Sequence, residues 1–274
     1  MLFGTSVPST EQHGGCLSRG WCLVTTQTPA IDKAMAVFAF LADSGRASFT
    51  QIQKATGLPK STSSSLLASL LAHGLVSLED GRYALGLRWY ELGNKVEENL
   101  DIRRAAMEPL AQLRDQTQLT CHLGVLEGSS AIYVLKLESP TAIVIRSWVG
   151  RRLSLHSSGL GKALLAWLPE AKLNSILPDI EFARRTGTTI VDIDAFRQEL
   201  VATRQRGWAF DNAEDNDGVY CIAAPVLNAA GEVTAAISMS GVSSQINLAN
   251  LDETAAAVVA TADRIAAEHH RGKI

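Results

Sequence analysis

Thr56-Gly57-Leu58-Pro59-Lys60-Ser61-Thr62, running on into Ser63-Ser64-Ser65-Leu66-Leu67, is the stretch on which the fold turns. Gly57 stops one helix and Pro59 opens the next. A proline in the first helical turn costs nothing, because the N–H it lacks has no partner inside the helix. Two helices this close, joined by a tight turn, form the joint of a helix-turn-helix. The second of them, over 59–73, places Leu66, Leu67, Leu70 and Leu71 on one side. Lys60, Ser61, Ser64, Ser65 and Ala68 fall on the other.

Upstream of that joint, Ile31, Ala34, Met35, Phe38, Leu41 and Ala42 recur at helical spacing until Gly45. Ser48 with Gln51, or Thr50 with Gln53, can make a capping box for a short second helix carrying Ile52 and Ala55. Downstream, Gly74 breaks the third helix. Leu75-Val76-Ser77-Leu78 and Arg82-Tyr83-Ala84-Leu85 then flank Glu79-Asp80-Gly81, and Asp-Gly between alternating apolar runs signals a hairpin. Three helices and a hairpin over 29–87 make a winged helix-turn-helix. A polar helix over 88–100 reads as a linker. Residues 1–28, rich in Gly, Ser and Thr and without a period, read as a flexible tail or an overlong start.

In a winged helix-turn-helix the third helix enters the DNA major groove by its N-terminus. Free N–H groups there attract phosphate. Lys60 adds a cation, and Thr50, Ser61, Thr62, Ser64 and Ser65 add hydroxyls. Arg82 in the hairpin can reach the DNA backbone or the minor groove. The net charge of −3 argues against a nucleic-acid partner, but its distribution does not. Residues 29–90 hold six basic groups against four acidic ones, a local +2, and the remainder carries −5.

The 274 residues suit two domains. No apolar run is long enough to span a bilayer, and no basic start with an apolar run marks a secretory signal, so a cytoplasmic protein without a membrane partner is expected. Cys16, Cys22, Cys121 and Cys221 show neither C-x-x-C pairing nor zinc spacing and read as separate reduced thiols. Beyond the linker, over 101–270, a helix to about 118 precedes strands at 120–127, 130–138 and 142–148. Helices near 159–168 and 192–206, strands at 208–211, 219–227 and 232–240, and a closing helix at 248–269 follow. Hairpins without βαβ regularity predict an α+β domain with an antiparallel sheet.

The Thr56–Thr62 stretch with His73-Gly74-Leu75-Val76, and Gly81-Arg82-Tyr83-Ala84-Leu85-Gly86 with Glu91-Leu92-Gly93, resembles IclR-type transcriptional regulators. So do Val149-Gly150-Arg151-Arg152-Leu153, His156 and Gly159-Leu160-Gly161-Lys162-Ala163. Arg206-Gly207-Trp208-Ala209, Asp211, Cys221-Ile222-Ala223-Ala224-Pro225-Val226 and Ser238-Met239-Ser240-Gly241 continue the likeness, which covers about residues 29–268. One departure stands out. The family usually places His or Tyr and then Arg where this chain has Ser64 and Ser65, so a bidentate reader of guanine is missing.

The resemblance implies a GAF-like, mixed α/β effector domain that binds a small molecule, with Ala142, Ile145, Gly159, Leu160, Asp211, Val219, Cys221, Ser238 and Ser240 around it. The residue types agree. The helix start at Gly159 favours a carboxylate. Ser238 and Ser240 share one face of a strand, as do Val219 and Cys221. Asp211 can accept from a hydroxyl or share an acid's proton, and Ala142 and Ile145 supply apolar wall. The expected protein is thus a regulator whose grip on double-stranded DNA is set by a small, carboxylate-bearing effector. It acts as a homodimer, or a dimer of dimers, joined through head and linker. No cofactor or metal is called for: Gly159-x-Gly-Lys-Ala lacks the earlier glycine and the hydroxyl of a phosphate loop, and Cys121-His122 lacks metal-ligand spacing. Two other readings stay open. One is an enzyme acting on a small organic acid through Asp211, His156 and Cys221. The other is a sensor that binds protein in place of DNA.

Overall fold

The structure is a computed structural model and describes residues 16–17, 21–22, 26–141, 145–246, 249 and 251–271. The chain divides into two compact units, Met1–Asn99 and Leu100–Ile274.

In the first unit, β1 (Cys16–Leu17) pairs antiparallel with β2 (Trp21–Cys22), within the segment expected to be a structureless tail. Then come α1 (Pro29–Ser44), β3 (Ala47–Ser48), α2 (Phe49–Thr56), α3 (Lys60–Ala72), β4 (Val76–Glu79), β5 (Arg82–Leu85) and α4 (Arg88–Glu98). Of the two possible capping boxes, Ser48 and Gln51 form the real one. Ser48 is also the strand partner of Arg82, so one residue closes the small sheet β3-β5-β4 and starts α2. Asp80 (φ 50) and Gly81 (φ 71) both lie in the left-handed region, the geometry of a two-residue hairpin turn that matches strand twist.

Val37, Phe38, Leu41, Ile52, Leu67, Leu70 and Val76 form the core of this unit. The stripe read along α1 is corrected at its start: Ile31 and Met35 are exposed, because the residues that bury α1 meet only its second half. The linker helix is less polar than its sequence suggested. α4 buries nothing, yet Tyr90, Leu92 and Val96 stand exposed on it. Trp89 anchors its first turn, giving its indole N–H to the Leu75 carbonyl at 2.9 Å and setting its ring edge-on to Phe38.

The second unit runs α5 (Asp101–Thr117), β6 (Thr120–Glu127), β7 (Ser130–Leu137), β8 (Arg152–Leu153), α6 (Gly159–Leu165), α7 (Glu170–Ile176), α8 (Ile193–Arg206), β9 (Ala209–Asn212), β10 (Val219–Leu227), β11 (Val233–Val242) and α9 (Leu251–Arg271). The six strands form one antiparallel sheet, ordered β8-β7-β6-β11-β10-β9. The strand expected at 142–148 is corrected. Residues 142–144 lie outside the described residues, and 145–148 form no strand. The Lys136 ammonium takes the Ile145 and Ser147 carbonyls at 3.1 and 2.9 Å, so a side chain satisfies this segment where a ladder was expected. α7 was not foreseen; Pro169 at its cap starts it afresh after α6.

The sheet buries both faces, and the strand period of two sorts the residues. Cys121, Leu123, Ile222, Ala224, Val226, Ala235, Ile237 and Met239 pack with Leu110, Leu113, Val258 and Ile265 of α5 and α9. Their neighbours turn to α6: Ala223 and Ala236 meet Leu160 and Leu164 in the second core. Among the described residues no helix is long and apolar enough to cross a membrane.

Helix α6 lies hard against the turn before it. A Cβ at Gly161 would sit 2.5 Å from the Leu155 carbonyl oxygen and 2.6 Å from that of Ser154. Gly161→Ala gains about 1 kcal/mol of helix propensity, and the forced backbone shift costs about 1–3 kcal/mol. The expected net result is a lower urea midpoint for the full chain. An unchanged or higher midpoint shows that the 154–161 turn yields freely.

Candidate functional site

Two surfaces carry the candidate chemistry, one in each unit. In the first unit, Lys60, Ser61, Ser64 and Ser65 are exposed along α3, Thr62 is half-buried, and Ser63 turns into the core. Pro59 caps α3 without a side-chain acceptor, so the first-turn N–H groups have no capping partner. The Ser65 hydroxyl donates to the Thr62 carbonyl at 3.2 Å, which leaves its oxygen as an acceptor. Thr50 is exposed in the first turn of α2. Arg82 is exposed at the hairpin, opposite Glu79 in register. Glu79 in turn pairs with Arg46 at 2.8 Å, an exposed pair of little energetic weight.

In the second unit the sheet face beneath α6 is apolar except for two adjacent rows. In one, Asp211, Cys221, Ser240 and Thr120 stand side by side across β9, β10, β11 and β6. In the next, Ser238 faces His122, and His122 faces Lys136 of β7. Gly159 seats the start of α6 on these rows: a Cβ there would touch the Cys221 carbonyl and the Ala223 side chain at 3.4 Å. The expected free N–H groups at that start need one correction. Ser158 caps the helix by accepting the Gly161 N–H at 3.0 Å, so the unpaired donors are those of Gly159 and Leu160. The Leu160 side chain is buried in the apolar layer, so only its backbone is available. Val219 lies on the same face as Cys221, one pair further along β10. Ile145 is half-buried in the covering loop, and Ala142 lies outside the described residues.

Asp211 is 1% exposed. One carboxyl oxygen accepts the Glu214 N–H at 2.7 Å and the Asp215 N–H at 3.4 Å. Burial pushes its pKa up to about 7, which the Glu214 N–H opposes and the Asp215 and Glu214 charges reinforce. The Cys221 thiol lies 3.1 Å from the Ser240 hydroxyl. Burial first, and then the Asp211 charge, hold it well above the usual thiol range.

Several residues of this face were not among the sequence candidates. His122 is 1% exposed, with Nε2 2.7 Å from the Ser147 hydroxyl and its ring 4.9 Å from that of Tyr133. Burial, and then the Lys136 and Arg151 cations, lower its pKa to about 3, so the ring is neutral. Burial raises the Tyr133 phenol, and the charges of Cys221, Asp215 and Asp211 raise it further, placing it within their field. Ser157 donates to Asp215 at 2.7 Å. Strand alternation gave the signal for His122, since it lies two residues from Thr120 on the same face. Ser147, Ser157 and Asp215 sit in loops, where no period announces them.

The imagined acid–base–nucleophile trio is not assembled. His156 spends one nitrogen on Ala183 O at 3.1 Å and the other on the Ser154 hydroxyl at 3.2 Å, and its ring meets Phe182. Cys221 has Ser240 and Asp211 as partners, and its thiol stays protonated. Among the described residues no group of His, Cys, Asp and Glu forms a metal site.

Comparison with known proteins bears on both surfaces. The IclR helix-turn-helix domain matches residues 30–80, and the bacterial transcriptional regulator IclR C-terminal domain matches 94–267. The uncharacterized HTH-type transcriptional regulator RhmR of Escherichia coli K12 is 40% identical over 241 residues, covering 88% of this chain and 93% of its own length. The crystal structure of the Thermotoga maritima IclR superposes with a TM-score of 0.74 at 28% identity, covering 88% of this chain and 98% of that one. An IclR homolog from Microbacterium hydrocarbonoxydans, complexed with 4-hydroxybenzoate, superposes with a TM-score of 0.77 at 21% identity, covering 88% and 99%.

The Asp211 carboxyl sets a pH dependence. Its pKa rises from an ordinary 3.8 to about 7 on folding, so its stabilisation is complete below about pH 4 and lost as pH rises through 7. His122, lowered from 6.5, acts in the opposite sense: its contribution is present above pH 6.5 and lost as pH falls towards 3. Asp211→Asn removes only the first term and keeps an acceptor for the Glu214 N–H. Between pH 5 and 8 the wild type is expected to lose ~2 kcal/mol more than the variant in urea unfolding. Parallel profiles for the two proteins overturn this account.

Proposed function

The chain belongs to the IclR family of bacterial transcriptional regulators, and from that premise we propose that it binds operator DNA under the control of a small carboxylate-bearing effector. The buried polar rows on an otherwise apolar sheet face carry this reading. Desolvated hydroxyls and a carboxyl cost free energy unless something uses them, and here they stand together under the start of α6.

The effector carboxylate takes the N–H groups of Gly159 and Leu160 and the hydroxyls of Ser238 and Ser240, and Asp211 meets it in its protonated form. Cys221 and Val219 line the β10 side, with Ala142 and Ile145 as apolar wall. The 4-hydroxybenzoate held by the Microbacterium homolog supports a carboxylate on this fold. Thr50, Lys60, Ser61, Thr62, Ser64, Ser65 and Arg82 form the DNA surface. Lys60 and Arg82 serve phosphate, and the serines offer single hydroxyls where a guanidinium would read guanine.

Paired half-sites require two heads at a set spacing. The exposed apolar residues Ile31, Met35, Leu87, Tyr90 and Val96 give the first unit a surface for joining a second copy. The protein therefore acts as a homodimer or a dimer of dimers. The effector shifts the population of arrangements to the extent that it binds one better than another. The domain limits follow the same plan: a head over 29–87, a linker over 88–100 and an effector domain over 101–270. Such a regulator works in the cytoplasm, where its DNA lies.

A gel-shift titration of the full chain on its own upstream region tests the proposal. Specific retardation is expected at low salt, weakening steeply as salt rises. Lys60→Ala should flatten the slope of log affinity against log salt by about one. An acid that raises Tm should also change the retardation, and Ser240→Ala should weaken that acid by about tenfold. No specific retardation at any salt sinks the DNA reading. Acids that raise Tm and leave retardation untouched sink the coupling.

A further inference from the structure

His122 is buried to 1% on the side of the sheet that carries the polar rows, and its Nδ1 meets no hydrogen-bond partner. A neutral imidazole always has one donor and one acceptor. Nε2 uses the Ser147 hydroxyl at 2.7 Å, and that hydroxyl can serve either tautomer. The remaining nitrogen is left buried and unpaired, at a cost of about 1–3 kcal/mol. The position links to the polar row. The His122 ring lies 4.9 Å from Tyr133, whose phenol lies in the field of Cys221, Asp215 and Asp211. Ser238, one of the two hydroxyls assigned to the carboxylate, is the direct cross-strand neighbour of His122.

Resting on the carboxylate reading above, we infer that His122 Nδ1 binds a hydroxyl of the effector, so that the effector class is a hydroxy acid. A hydroxyl both donates and accepts, so it satisfies Nδ1 in either tautomer. A plain acid of the same shape leaves the nitrogen buried and unpaired, and a site built this way discriminates strongly against it. Lys136 stands next to His122 in register with its ammonium engaged by Glu138 and two loop carbonyls, which holds the cover over the ring. His122 is therefore the specificity residue of the site.

The test is a Tm and calorimetry panel on the full chain with matched pairs: 3-hydroxybutyrate and butyrate, 4-hydroxybenzoate and benzoate, gluconate and hexanoate. The wild type is expected to bind at least one hydroxy acid about tenfold or more tightly than its parent acid. His122→Asn keeps a polar atom near the Nδ1 position and should keep that preference. His122→Gln, whose amide falls near Nε2, and His122→Phe, which keeps the ring against Tyr133, should both lose it while still binding the parent acid. Ser147→Ala removes only the Nε2 partner and should keep it. If hydroxy and parent acids bind the wild type alike, or if His122→Phe retains the preference, the hydroxyl assignment falls and the carboxylate reading stands. If no acid binds, both fall.

Discussion

The sheet of the second unit has to bury both its faces, and every later feature depends on that demand. Alternation along a strand leaves no freedom: once Cys121, Leu123, Ile222, Ala224, Ile237 and Met239 are committed to α5 and α9, their neighbours must turn to α6. A one-residue slip would carry Asp211 and the serines into the fully apolar layer and the leucine-facing residues out of it. The apolar layer thus fixes the register, and the register aligns Asp211, Cys221, Ser240 and Thr120 across four strands. The polar row is a consequence of packing on the far side of the sheet.

That logic explains what could be read from the sequence. Several elements with a clear period or a punctuating residue were legible: Gly57 and Pro59 around the joint, Asp80-Gly81 in the hairpin, Ser238 and Ser240 on one side of their strand. His122 is legible on the same terms, since it alternates with Cys121, although beside that cysteine its residue type points first to a metal. Ser147, Ser157 and Asp215 were beyond reach. They lie in loops, and their partners, His122, Asp215 and Arg185, are 25, 58 and 30 residues away in sequence. The absence of a strand over 145–148 has the same origin. The apolar run promised a ladder, and only the structure reveals the Lys136 ammonium that takes its carbonyls.

In the first unit the helix-turn-helix was secure because its signals are local, whereas the outward faces of α1 and α4 were misjudged because their partners are not. Ile31 and Met35 belong to the apolar stripe of α1 by spacing, yet they stay exposed and lie outside the core of the unit. Tyr90, Leu92 and Val96 give the linker helix an apolar content that its charged neighbours masked. Periodicity tells which residues share a face; it does not tell which neighbour that face meets.

The remaining question is what keeps the row in place, given that Asp211 sits near the end of the short edge strand β9. Its geometry rests on Glu214, whose N–H holds the Asp211 carboxyl and whose own carboxylate is pinned 2.5 Å from the Lys162 ammonium. Lys162 is 1% exposed and also donates to the Phe210 carbonyl at 2.9 Å, so one side chain of α6 holds the residues on either side of Asp211, Phe210 in β9 and Glu214 in the loop after it. A buried pair of this kind adds little net stability, because desolvation consumes most of the attraction. Its value is positional. It ties the helix that brings Gly159 to the sheet to the strand end that carries Asp211, so the two sides of the row cannot move apart independently. Gly159 and Asp211 are thereby held in one preset frame, whose ordering is already complete in the folded chain.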